Sequence, residues 1–116
     1  MISITILGEP CSKANQRRLV KGKGGRPMFI KSAKALAYIE EAKKQLDEMD
    51  LEPIQGDVRV GIRIWYKTRR PDLDESLILD LLQGYAYEND RQVKEKHVYH
   101  ELDRDNPRAK IEVIPL

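Results

Sequence analysis

Two aspartates one residue apart, Asp72 and Asp74, lie in the stretch Arg69-Arg70-Pro71-Asp72-Leu73-Asp74, and a third, Asp90, follows in a later polar segment. Residues two apart in extended backbone project to the same side, and Pro71 favours an extended residue before it. Asp72 and Asp74 are therefore expected to point together, with Leu73 turned to the core. Two carboxylates in a cleft repel strongly unless a cation neutralises them or one takes a proton. A third from Asp90 would complete an oxygen-rich site for Mg²⁺ or Mn²⁺. Such an ion polarises a phosphate, lowers the pKa of bound water and stabilises a leaving oxygen. Arg69 and Arg70 set cations beside the carboxylates, as phosphate chemistry requires, although they also suit a role as plain counter-charges. The same aspartates read equally as a turn residue, a helix cap and a solvated loop charge, and D-x-D alone does not separate these readings.

The second constellation is basic. Of 21 Lys and Arg in the 116-residue chain, eight fall between Ser12 and Lys34: Lys13, Arg17, Arg18, Lys21, Lys23, Arg26, Lys31 and Lys34. That stretch holds no Asp or Glu, so the other 13 basic residues face all 19 acidic ones, a net of −6 against +2 for the whole chain. Charge separated in this way suggests contact with a polyanion. Asn15 and Gln16 add neutral hydrogen-bonding groups, and Phe29 suits either stacking on a base or the core.

These residues need elements to position them. Ile2, Ile4 and Ile6 alternate with Ser3 and Thr5, a strand with one buried face. Residues 12–34 read as an arm or hairpin broken by Gly22, Gly24 and Gly25. Ser32 caps a helix starting at Ala33, whose stripe is expected to be Leu36, Ile39, Ala42, Leu46 and Met49. Val58, Val60, Ile62 and Ile64 alternate in the clearest strand, which runs on towards Trp65 and Tyr66. Leu77, Ile78, Leu81, Leu82 and Tyr85 mark a second helix, and Tyr87-Glu88-Asn89-Asp90 a polar loop. Val93 to Glu101 and Ala109 to Val113 are further strands, separated by a turn at Asp105-Asn106-Pro107. The order β-(arm)-α-β-α-β-β predicts one α+β domain over 1–116, a two-layer fold with a mixed β-sheet and two helices packed on it.

Composition excludes several classes. With 41% hydrophobic and 34% charged residues, the chain suits one modest core under a solvated surface. No run approaches the roughly 20 apolar residues that cross a bilayer, so no membrane partner is expected. The N-terminus reads as a strand rather than a signal peptide, giving a cytoplasmic expectation. The one cysteine, Cys11, excludes an intramolecular disulfide and a multi-cysteine zinc site. His97 and His100 fall on opposite faces of a strand and are not expected to share a metal. Trp65 is expected to pack. No Walker A loop, GxGxxG or GxSxG is present.

Taken in order, several segments resemble the RusA-type Holliday junction resolvases, small endodeoxyribonucleases of bacteria and their phages. These are Gly8-x-Pro10-x-Ser12-Lys13-x-Asn15-x-Arg17, Gly25-Arg26-Pro27-x-Phe29-Ile30-Lys31-Ser32, Arg70-Pro71-Asp72-Leu73-Asp74, Asn89-Asp90-x-Gln92-Val93 and Asp105-Asn106-Pro107-Arg108. The resemblance implies a homodimer that cleaves branched DNA with Mg²⁺ or Mn²⁺ in recombination and repair, two sites acting on opposed strands of a four-way junction. It maps the family's acidic catalytic and metal site onto Asp72, Asp74 and Asp90. Lys13, Asn15, Arg17, Arg18, Lys21, Lys23, Arg26, Lys31, Arg69 and Arg70 are then the expected DNA contacts.

The resemblance also marks departures. The family pattern runs D-L-D-N with a lysine one helical turn later. Here Glu75 replaces the Asn, Ile78 takes the lysine's place, and no lysine lies between Lys67 and Lys94. Reduced activity, a substitute cation such as Arg69 or Arg70, and a cation from a second subunit all answer to that loss. A weakened or inactive branched-DNA-binding protein is therefore the first alternative. A protein whose arm docks an acidic partner is the second.

Overall fold

The computed structural model describes residues 1–11, 17–25 and 27–116, with the backbone alone described at 17–21, 23 and 27–31. Its elements are β1 (Ile2–Leu7), β2 (Arg17–Lys21), β3 (Pro27–Lys31), α1 (Ala33–Glu48), β4 (Val58–Tyr66), α2 (Ser76–Leu82), β5 (Val93–Leu102) and β6 (Arg108–Pro115). Four strands form a mixed sheet in the order β1-β6-β4-β5, with β4 and β5 parallel and the other pairs antiparallel. The fold is α+β, as expected. The parallel pair matters most for function, because a parallel neighbour requires a crossover. Here that crossover, between Tyr66 and Val93, carries α2 and all three aspartates.

Period-two patterning sets the two faces of the sheet. Ile4 and Ile6, the run Val58, Val60, Ile62, Ile64 and Tyr66, and Ala109, Ile111 and Val113 are all buried. The alternate positions of β4, namely Arg59, Gly61, Arg63 and Trp65, lie on the half-exposed face. Trp65 packs there, beneath the Arg108 guanidinium at 4.0 Å, rather than in the core. Arg63 lies over the Tyr99 ring at 4.5 Å on the same face.

The basic arm forms an antiparallel hairpin, pairing Arg17 with Lys31 and Lys21 with Pro27. Its turn places Gly24 and Gly25 at φ of 77° and 76°, a conformation that costs glycine little. Ser32 caps α1 by accepting from the Ala35 N–H at 3.1 Å. The expected apolar stripe is rotated. Ala35, Tyr38, Ala42 and Leu46 are buried, whereas Leu36 is 53% exposed. Both stripes contain Ala42 and Leu46, and spacing alone does not show that Tyr38 rather than Leu36 faces inward.

Tyr87 also departs from expectation. It belongs to the core, and its hydroxyl donates to the Leu79 carbonyl at 2.7 Å. Among the described residues, no helix is long and apolar enough to cross a membrane.

Candidate functional site

The loop between β4 and α2 does not alternate as its sequence suggests. Asp72 and Leu73 are exposed, Leu73 at 38%, whereas Asp74 is 5% exposed. Asp74, not Leu73, turns inward. It is the one buried polar or charged side chain among the described residues. Its Oδ1 accepts from the Ser76 N–H at 3.0 Å and the Ser76 hydroxyl at 2.8 Å. The residue formally at the helix cap, Glu75, makes no side-chain cap bond. Asp74 thus satisfies an otherwise orphaned helix donor from one position upstream, and two donors offset the burial of its charge.

Tyr66 organises the backbone of this loop. The last residue of β4 and fully buried, it donates its hydroxyl hydrogen to the Asp72 carbonyl and accepts from the Asp74 N–H, both at 3.3 Å. Burial pushes the Tyr66 phenol up. The Asp74 N–H pulls it partly back, and the carboxylates of Asp74, Glu9 and Glu75 push it up further. The hydroxyl therefore stays protonated. His100, on β5, packs its ring on Tyr66 with centroids 4.6 Å apart, and its Nε2 lies 3.2 Å from the Pro71 carbonyl. A carbonyl only accepts, so Nε2 carries the hydrogen.

Asp90 stands on a separate support. It opens a short 3-10 turn, Asp90–Gln92, capped by Asn89, whose side chain accepts from the Arg91 N–H at 2.9 Å. Gln92 ties the turn down. Its amide donates to the carbonyls of Ile54 and Gly56, each at 2.8 Å, and its oxygen accepts from the N–H groups of Glu88 and Asn89. This gives Asn89-Asp90-x-Gln92 a physical meaning: the outer two residues fix the turn that presents Asp90, which is exposed.

Asp72 and Asp90 open onto different clefts. Asp72 shares one with Arg69, Pro71, Leu73, His100, Glu101 and Leu102. Asp90 shares another with Leu79, Val93, Lys94, Glu95 and Lys96. His100 and Lys96, one from each cleft, are four residues apart on β5, about 13 Å of strand. Among the described residues, no three Asp, Glu, His or Cys side chains gather closely enough to hold a metal ion. The single chain by itself therefore does not gather Asp72, Asp74 and Asp90 into one cluster.

One cation links the two halves. Lys96 Nζ lies 2.7 Å from Glu75 Oε1, beside Asp74, and Lys96 also lines the cleft of Asp90. The position one helical turn beyond Asp74 is filled by Ile78, fully buried. Of the expected DNA contacts, Arg69 and Arg70 are exposed beside the acidic loop. Arg17, Arg18, Lys21, Lys23 and Lys31 belong to the hairpin and its turn. Lys13, Asn15 and Arg26 lie outside the described residues.

Tyr66 and Lys96 were not singled out by sequence. The one available signal was phase: Tyr66 continues the buried positions of β4, bringing a polar tip to the strand end that feeds the acidic loop. His97 and His100 do fall on opposite faces; His97 Nε2 meets Glu95 Oε1 at 2.9 Å.

No curated protein matches the chain closely enough to count as a relative. A family model described as Endodeoxyribonuclease RusA matches residues 8–114, spanning both clefts, the hairpin and, but for the last residue of β6, three of the four strands of the sheet. The chain belongs to the endodeoxyribonuclease RusA family.

Proposed function

We propose that the protein is a structure-selective endodeoxyribonuclease that resolves four-way DNA junctions as a homodimer, with Asp72, Asp74 and Asp90 as its acidic catalytic residues. Asp74 carries the reading. A buried carboxylate is costly, and in this member of the nuclease family it lies in the same loop as the exposed Arg69 and Arg70. The basic hairpin, with Lys13, Asn15 and Arg26, would follow the phosphate backbone and release counterions.

A divalent cofactor, Mg²⁺ or Mn²⁺, belongs to this proposal for the DNA-bound dimer. Mg²⁺ is commonly held by one or two carboxylates together with substrate phosphates rather than by an all-protein cage. That mode suits a chain whose carboxylates do not form a complete donor set alone. The protein's own contribution is to hold the acidic loop and the Asp90 turn in fixed positions and to bring cations to the phosphates.

Cleavage of a labelled four-way junction, with and without divalent metal, tests the reading. Asp72→Asn and Asp74→Asn should abolish cutting and retain binding; full cleavage by either variant would reject the site. A second reading, a family member that binds branched DNA without cutting it, is favoured by the missing three-ligand set and by Ile78 in place of a lysine. Binding without nicks at any Mg²⁺ or Mn²⁺ concentration would establish it.

A further inference from the structure

We propose that Tyr66 and His100 are positioning residues for the acidic loop, a two-ring clamp that fixes the backbone from Pro71 to Asp74. The inference rests on the reading above, in which Asp72 and Asp74 serve DNA cleavage. Three anchors define the clamp: the Pro71 carbonyl on His100 Nε2, the Asp72 carbonyl on the Tyr66 hydroxyl, and the Asp74 N–H on that same hydroxyl. None of these contacts uses a carboxylate oxygen. The clamp sets where the aspartates stand without occupying the groups that would act.

The anchors come from rigid parts of the fold. Tyr66 ends the central strand with its ring fully buried, and His100 lies on the parallel neighbour, where the strand register pairs it with Ile64. The two rings stack at 4.6 Å, so each limits the other's rotation. A loop held only by its two ends would rely on Pro71 and the start of α2 for order. Here the middle is fixed as well, and a displacement of about 1 Å in a reacting group can cost on the order of 100-fold in rate.

The test uses the full-length protein and a four-way junction substrate. Tyr66→Phe keeps the ring and the stack but removes the hydroxyl. It should lower kcat by about 10- to 100-fold with KM little changed. His100→Ala should act in the same direction, and His100→Gln, which retains a donor for the Pro71 carbonyl, should recover most of the loss. Amide hydrogen exchange at Asp74, followed by NMR without metal or DNA, should be faster in Tyr66→Phe. Wild-type kcat in both Tyr66→Phe and His100→Ala would overturn the proposal, as would equal losses in His100→Gln and His100→Ala. If the wild-type protein binds junctions without cutting them, the nuclease reading fails separately. The exchange rate then decides the clamp: acceleration supports it, and an unchanged Asp74 amide overturns it.

Discussion

Lys96 Nζ stands 2.7 Å from Glu75 Oε1, an ion pair between the edge strand of the sheet and the residue beside the buried Asp74. The lysine side chain is half exposed and also lines the Asp90 cleft. It therefore brings positive charge between two acidic positions that the fold otherwise keeps apart.

If this placement makes Lys96 a phosphate contact, its loss should weaken DNA binding more than it weakens the fold. An exposed ion pair contributes about 0–1 kcal/mol, so Lys96→Ala should leave the melting temperature almost unchanged. Junction affinity should fall, and the slope of log K against log salt should become shallower by about 1. Glu75→Gln removes the neutralising partner and should bind at least as tightly as wild type. Parallel titrations across salt concentration check both. Unchanged affinity and slope in Lys96→Ala would remove the lysine from the DNA path.

The hairpin makes a related prediction. If Arg17 and Arg18 each meet one phosphate, replacing either with Ala should reduce the salt slope by about 0.9 on duplex arms. The loss should be similar for junctions of different sequence, since phosphate contacts carry no base information. Fluorescence anisotropy at several salt concentrations measures it, and an unchanged slope would place the hairpin away from DNA.

Asp74 has a structural role separable from chemistry. Asp74→Ala removes the acceptor for the Ser76 N–H and hydroxyl at the start of α2 and should cost about 1 kcal/mol, within the range for lost helix caps. Asp74→Asn keeps an acceptor oxygen and should cost less. Chemical denaturation of both variants checks the order, and equal losses would show that charge rather than the acceptor holds the helix start.

A pH dependence follows from Asp103. Its carboxylate accepts from Arg108 at 2.9 Å and from the N–H groups of Asn106 and Asp105 at 3.2 Å. The Arg108 contact first, and then these amides, hold its pKa below the ordinary 3.8. The folded state thus binds this proton less readily than the unfolded chain. The stabilisation is complete above the ordinary value and is lost as pH falls from there through the lowered folded one. Glu95, held down by His97 and Arg59, shifts in the same direction. Thermal melts at decreasing pH should show a shallower acid decline for Asp103→Asn than for wild type. Parallel declines would contradict the assignment.

Much of this fold was legible from residue order. Alternating Ile and Val mark β1, β4 and β6, because the opposite register would bury Arg59 and Arg63 in β4, Lys110 and Glu112 in β6, and the hydroxyls of Ser3 and Thr5 in β1. Helices were harder. Leu36 is exposed and Tyr38 buried, and spacing could not foretell this, since a stripe through Ala35, Tyr38, Ala42 and Leu46 is spaced as well as the one through Leu36. Tyr87 reads as part of a polar loop until Leu79 is placed above it to accept its hydroxyl.

The candidate site divides in the same way. The three aspartates stand out by residue type, but the separation of Asp72 and Asp90 into two clefts, with Asp74 buried, does not. It depends on β5 lying parallel to β4, which sets His100 beside Pro71 and Lys96 beside Glu75 across 29 and 21 residues of sequence. Extended-chain reasoning gave the wrong face for Leu73 because Tyr66 and Ser76 draw Asp74 inward. Local pattern carries no information about such distant partners.

The most direct measurement is strand cleavage of an end-labelled synthetic four-way junction by the wild-type protein and by Asp74→Asn, each with Mg²⁺ and with chelator. Paired nicks on opposed strands are the predicted result, confined to the wild-type reaction with metal, while Asp74→Asn still shifts the junction in a gel. Undiminished nicking by Asp74→Asn, or a wild-type protein that holds the junction intact in the presence of metal, would contradict the account.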